Sequence, residues 1–176
     1  MSHEVLGDRF AGVAEQVSVR AATTVDAPYL RRSLTAAFGS PLVAVHGELI
    51  DAAELPSAVA RRHGELAGHL AWRPEPGGNW EIVSIVADRS RAGIGSALLD
   101  WIRAEAQRAR VTRLWLVTTN DNTKALRFYQ RHGFDLVALH RDAVTRARAL
   151  KPQIPLESDG IPLRHELELE LHLPRQ

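Results

Sequence analysis

The stretch VTTNDNTKALRFYQRHGF, residues 117–134, passes from strand to helix and back to strand. RLWLVTT (113–119) reads as an apolar strand of the kind that lies buried in a sheet. Asn122 or Thr123 can cap the helix that follows, which the spacing predicts over 122–133. Gly133 stands where a helix ends in a left-handed residue. FDLVALH (134–140) is the next strand. Tyr129 falls on the apolar face of this helix. Pattern alone leaves two readings for it, a core tyrosine or a phenol that gives up a proton.

Upstream, SRAGIGSALLDWIR (90–103) follows the β-branched strand WEIVSIVAD (80–88). Apolar residues at 94, 97, 98, 101, 102 and 106 recur at helical spacing. Gly93 and Gly95 therefore stand at the mouth of a helix. The first amides of a helix have no partner within it, and its dipole adds positive charge there, so such ends bind anions. Glycine lets a phosphate approach without a Cβ in the way. Arg89 and Arg91 add formal charge. The dinucleotide fingerprint needs a third glycine where Leu98 stands. A P-loop needs Gly-Lys-Ser/Thr, and a nucleophile elbow needs Gly-x-Ser-x-Gly; neither is present. A phosphate loop and a bare tight turn both remain open on this fragment.

The rest of the chain bounds the answer. It has 176 residues, 45% hydrophobic and 24% charged, a net charge of +1 and no cysteine. That predicts one domain with a real core, no disulfide, no thiolate metal site and no cysteine nucleophile. No His-Glu-x-x-His pattern occurs, so no metal is expected, and near-neutral charge argues against nucleic acid as partner. No apolar run reaches the length of a membrane span, and the start lacks a signal-peptide layout, so the expected compartment is the cytoplasm. Residues 89–151 carry 13 Lys/Arg against 5 Asp/Glu, and the remainder 9 against 16, a bias that suits a polyanionic small molecule or merely solvated helix faces. After a polar lead-in (1–15), the elements expected are a strand (16–23), a helix (24–39) capped by Asp26, and an irregular stretch with a short strand at 42–46. A hairpin turning at His63-Gly64 follows, with RPEPGGN (73–79) as a turn. A short helix (141–150) and an alternating strand ELELELHL (166–173) close the chain. Its leucines face one way and Glu166, Glu168, Glu170 and His172 the other. The order predicts an α/β domain spanning 16–176 around a central mixed sheet.

RAGIGSALL followed by NTKALRFYQRHGF resembles the GNAT superfamily of N-acetyltransferases, across about three quarters of the chain. The resemblance implies that fold, with a mostly antiparallel mixed sheet flanked by helices, a core over 16–140 and an acceptor-side segment over 141–176. It implies acetyl-CoA as co-substrate, with its pyrophosphate on the loop Ser90, Arg91, Ala92, Gly93, Ile94, Gly95 and Ser96. The family's leading Arg/Gln falls on Ser90, one place before the arginine. Val83, Ser84 and Ile85 would pair with the pantetheine arm and aim an amide at the thioester carbonyl. Asn122 would touch the co-substrate, and Tyr129 would protonate the departing thiolate. Glu81 is the candidate general base, and strand parity places it on the face of Ile85. His69 and His140 are further candidates, and water is another.

The implied reaction is direct attack of a small-molecule or peptide amine on acetyl-CoA in a ternary complex. A non-catalytic acyl-CoA sensor on the same fold, or a longer acyl donor, are the alternatives. The acceptor side falls to residues 38–56 and 140–165. There Arg141, Arg146, Arg148 and Lys151 form a basic group suited to a carboxylate or phosphate on the acceptor. If ELELELHL lies at a sheet edge, a homodimer is expected through it.

Overall fold

The computed structural model describes residues 17–87 and 93–174. A seven-stranded sheet holds β1 (Val17–Ala21), β4 (Ser57–Arg62), β5 (Glu65–Glu75), β6 (Asn79–Ala87), β7 (Arg113–Thr119), β11 (Glu166–His172) and β8 (Asp135–His140), in that spatial order. Every neighbouring pair is antiparallel except β6 with β7, which run parallel. Two hairpins lie outside it: β2 (Leu42–Val45) with β3 (Glu48–Asp51), and β9 (Glu157–Ser158) with β10 (Ile161–Pro162).

The helices are α1 (Ala27–Phe38), α2 (Ile94–Arg108), α3 (Thr123–Arg131) and the short α4 (Ala143–Ala147). One face of α2 buries Leu98, Leu99 and Ile102 against Leu70, Trp72, Ile82 and Leu114 of the sheet. Its first residue sits on β5 at Gly68, where an added Cβ would lie 2.6 Å from the Ile94 Cγ2 and 2.7 Å from the Val86 carbonyl. The opposite sheet face meets α1, whose Tyr29 ring stands edge-on to His69 of β5.

Several expectations need correction. The first helix starts at Ala27, preceded by a 3-10 turn over Thr24–Asp26. Asp26 does not cap it by a side-chain bond. Its carboxylate instead accepts the Thr23 amide at 2.8 Å and a forked pair from Arg20 at 2.8 and 2.9 Å. The stretch after α1 is a full hairpin. His46 and Gly47 both take positive φ (52° and 79°), the geometry that a two-residue hairpin turn requires. β5 runs on through Pro74 to Glu75. Beyond Ala71 it pairs with β6 alone, so the missing proline N–H breaks no ladder on its other side.

Most consequential, ELELELHL is not an edge. β11 lies between β7 and β8, and two of its glutamates are paired rather than solvated: Arg113 binds Glu168 and Glu170, both at 2.6 Å. β8 is the edge at this end of the sheet.

Candidate active site

β6 and β7 pair at only three positions, Asn79↔Arg113, Trp80↔Leu114 and Glu81↔Trp115. Beyond that they part, and the β6 edge facing β7 has no strand partner. A cavity of about 750 Å³ occupies the wedge. Just past the fork β6 carries a bulge. Ala71 pairs with Ser84 and Trp72 with Ile82, which leaves Val83 as the extra residue. The bulge reverses the parity expected for this strand. Ile85 faces α2 with its partner Leu70, whereas Glu81, Ser84 and Val86 face the other way. Glu81 and Ile85 therefore lie on opposite faces, contrary to the expectation from alternation.

The wedge brings together Glu81, Val83, Ser84, Ile85, Asn122 and Tyr129. Asn122 caps α3, its Oδ1 accepting the Ala125 amide at 3.1 Å. Tyr129 is buried, and burial pushes its phenol well above the ordinary tyrosine range. Gly93 precedes α2 with φ of 71°, a left-handed conformation that favours glycine. Gly95 serves helix packing, since a Cβ there would lie 3.1 Å from the Phe128 ring. Ile94 is a core residue of the first turn. The Ser96 hydroxyl meets His132 Nε2 at 3.0 Å. His132 Nδ1 donates to the Phe128 carbonyl at 2.8 Å, which fixes the ring against α3. Residues 93–96 stand at the helix mouth and do not line the cavity. Arg89, Ser90, Arg91 and Ala92, like the lead-in 1–15, lie outside the described residues.

Charge concentrates at the apex of the wedge. Glu81 is 1% exposed; its Oε1 meets His46 Nε2 at 2.8 Å and its Oε2 accepts from Arg73 at 2.7 Å. The hydrogen bond to Glu81 raises the His46 pKa, and the His46 ring lies 5.1 Å from that of Trp115. The other histidines named from sequence stand elsewhere. His69 is wholly buried under α1, its pKa pushed down to about 4 by burial, and His140 pairs with Glu168 at 2.7 Å. Neither lines the cavity.

Sequence reading passed over two residues, Glu166 and Asn120. Glu166 lines the cavity, 6% exposed, and among the described residues its carboxylate has no hydrogen bond or ion pair. Burial raises its pKa. A strictly alternating strand gives no sign that one of its acids faces a cavity while the next two meet an arginine. Asn120 positions it. Oδ1 accepts the amides of Arg164 (2.9 Å) and His165 (2.8 Å), and Nδ2 donates to the Pro162 carbonyl at 2.9 Å. Lys151 also lines the cavity, but its Nζ donates to the carbonyls of Phe38 (2.8 Å) and Leu42 (2.6 Å). Arg148 is committed to the carbonyls of Ile154, Pro155 and Leu163. Arg146 donates to the Arg141 carbonyl. Arg146 and Arg148 thus fasten their own segment, and Lys151 ties it to the end of α1 and to β2.

The wedge suits a long polar ligand with amides along its length. An unpaired strand edge offers backbone donors and acceptors in series, and the buried Ser84 Oγ has no partner among the described residues. Among the described residues no group of three His, Asp or Glu is placed to hold a metal ion, and no helix is long and apolar enough to cross a membrane.

Comparison with known proteins gives the same outline. The model of the acetyltransferase (GNAT) family matches residues 27–134. An uncharacterized protein, YdhI, of Bacillus subtilis (strain 168) is 36% identical over 132 residues, covering 74% of this chain and 82% of that relative. Among solved structures, an IAA acetyltransferase from Bacillus cereus ATCC 14579 superposes with a TM-score of 0.73 at 20% identity, covering 90% of this chain and all of that one. A Bacillus subtilis acetyltransferase in complex with CoA superposes at 0.64 and 18% identity, covering 91% and 99%. At these identities the structures speak to the fold.

Proposed function

The chain belongs to the GNAT acetyltransferase family, and on that premise we propose that it moves the acetyl group of acetyl-CoA to a primary amine by direct attack in a ternary complex. One observation carries the reading: the divergence of β6 from β7 opens a cavity that holds an unpaired strand edge, a buried phenol and carboxylates together. The amides of residues 91–96, led by Gly93 and Gly95, hold the pyrophosphate at the mouth of α2, with Ser90 at the start of the loop. Val83, Ser84 and Ile85 take the pantetheine arm, and an amide at the bulge steadies the carbonyl oxygen as charge develops on it. Asn122 contacts the co-substrate with the amide nitrogen that its capping role leaves free. Tyr129 gives a proton to the departing thiolate. A phenol held far above its usual range keeps that proton until negative charge forms beside it. Glu81, fixed by His46 and Arg73, supplies negative charge at the acceptor end.

Thermal unfolding with millimolar acetyl-CoA, free CoA or NADH tests the first half. A ligand at 100 times its Kd stabilises the native state by about 2.7 kcal/mol. The expected result is a clear rise with acetyl-CoA and CoA and none with NADH. Thiol release on an amine panel tests the second half. No rise with acetyl-CoA overturns the reading; a rise with no amine acetylated leaves CoA binding and overturns transfer.

A further inference from the structure

Resting on the transfer reading above, we infer that Glu166 receives the acceptor's ammonium and takes its proton, and that the acceptor is a monoamine with an apolar body and no acid group beside the amine. A buried carboxylate is ordinarily hydrogen-bonded or paired. The neighbouring acids of β11 obey this: Glu168 meets Arg113 and His140, and Glu170 meets Arg113 and His172. Glu166 alone of the four charged and histidine positions on this strand faces the cavity unpartnered among the described residues. Glu81 also lines the cavity, but both its oxygens are already engaged, Oε1 by His46 and Oε2 by Arg73. Burial and the Glu81 charge favour the protonated form of Glu166, while His46 from the β2–β3 turn, His140 from β8 and Arg146 from α4 oppose them.

The walls define the rest of the acceptor. Phe38, Val43, Val144, Ala147, Ile154 and Leu163 line the same cavity. Its lysine and the adjacent Arg148 are spent on backbone carbonyls. An acceptor carboxylate would therefore meet Glu81 and Glu166 with no free cation among the described residues that line the cavity. In the proposed step one ammonium proton passes to Glu166. The freed nitrogen lone pair forms the N–C bond, and the C–S bond breaks with its electron pair on sulfur. Tyr129 protonates that sulfur, and the second nitrogen proton restores Tyr129. Glu166 returns its proton to solvent, so amide, thiol and one proton are the products.

The test uses the full chain with acetyl-CoA and phenethylamine, phenylalanine and spermidine as probes, read by thiol release. Phenethylamine should exceed phenylalanine and spermidine in kcat/KM by about 100-fold. Glu166→Gln should lower kcat/KM for phenethylamine by on the order of 10²-fold and remove the acid limb of its pH profile. The acetyl-CoA-induced rise in Tm should persist, which reports an intact fold; Glu166→Asp, keeping the carboxylate, should recover part of the rate. Phenylalanine or spermidine used as well as phenethylamine overturns the acceptor class. An unaltered rate in Glu166→Gln, or loss of the acid limb in Glu81→Gln instead, overturns the role of Glu166. Absence of turnover with every amine overturns transfer itself and this inference with it.

Discussion

Burial acts on Tyr129 and His69 in opposite directions for one reason: each is held in its uncharged form. For Tyr129 the neutral form is the proton donor. Tyr129→Phe should lower kcat by about 10²–10⁴-fold while the acetyl-CoA shift in Tm holds; an unchanged kcat would remove the phenol from the mechanism. For His69 the consequence is a pH dependence of stability. Its folded pKa of about 4 lies below the ordinary value of 6.5, so the folded state binds fewer protons than the unfolded chain between them. Its contribution is whole above pH 6.5 and drains away as pH falls toward 4, at up to about 1.4 kcal/mol per pH unit. His69→Leu should flatten the unfolding free energy across that window, measured by denaturant titration at several pH values. At this scale the sequence is half readable. Tyr129 sits in a spaced motif that survives folding intact. Glu166 does not, because its meaning depends on which side of β11 a cavity opens.

Hairpin turns were legible where the sequence was read for them. His63-Gly64 marks one, and the same dipeptide at His46-Gly47, with φ of 52° and 79°, marks the hairpin that composition made look irregular. The bulge at Val83 was illegible. WEIVSIVAD alternates well enough as a plain strand, and only pairing with β5 shows the extra residue. The same limit left the place of ELELELHL open, since its pattern of leucine and glutamate fits an edge as well as an interior strand bridged by Arg113. Among connecting elements, the 162–166 segment hangs on Asn120. Asn120→Ala should cost about 1–2 kcal/mol of stability and raise the acceptor KM more than that of acetyl-CoA. Equal effects on both KM values would show that Asn120 does not act through Glu166.

Across the whole molecule, the sheet ends at β1 on one side and β8 on the other. β8 exposes Leu136, Val137 and Leu139, so we propose that the homodimer expected from the C-terminal strand pairs through β8 instead. Sedimentation of the wild-type chain should show a mass that grows with concentration, and Val137→Lys should abolish that growth; a constant monomer mass for the wild type ends the proposal.

The fork between β6 and β7 also bears on how the protein holds itself together. Three rungs, from Asn79↔Arg113 to Glu81↔Trp115, are all the pairing that joins a four-strand arm to a three-strand arm. Whatever enters the wedge and bonds to both arms supplies the rungs the chain leaves out. A co-substrate bound there is therefore a brace as well as a reactant. Amide hydrogen exchange along β7 and β11 should slow when acetyl-CoA binds, at residues it never touches, and quicken again once the product CoA departs.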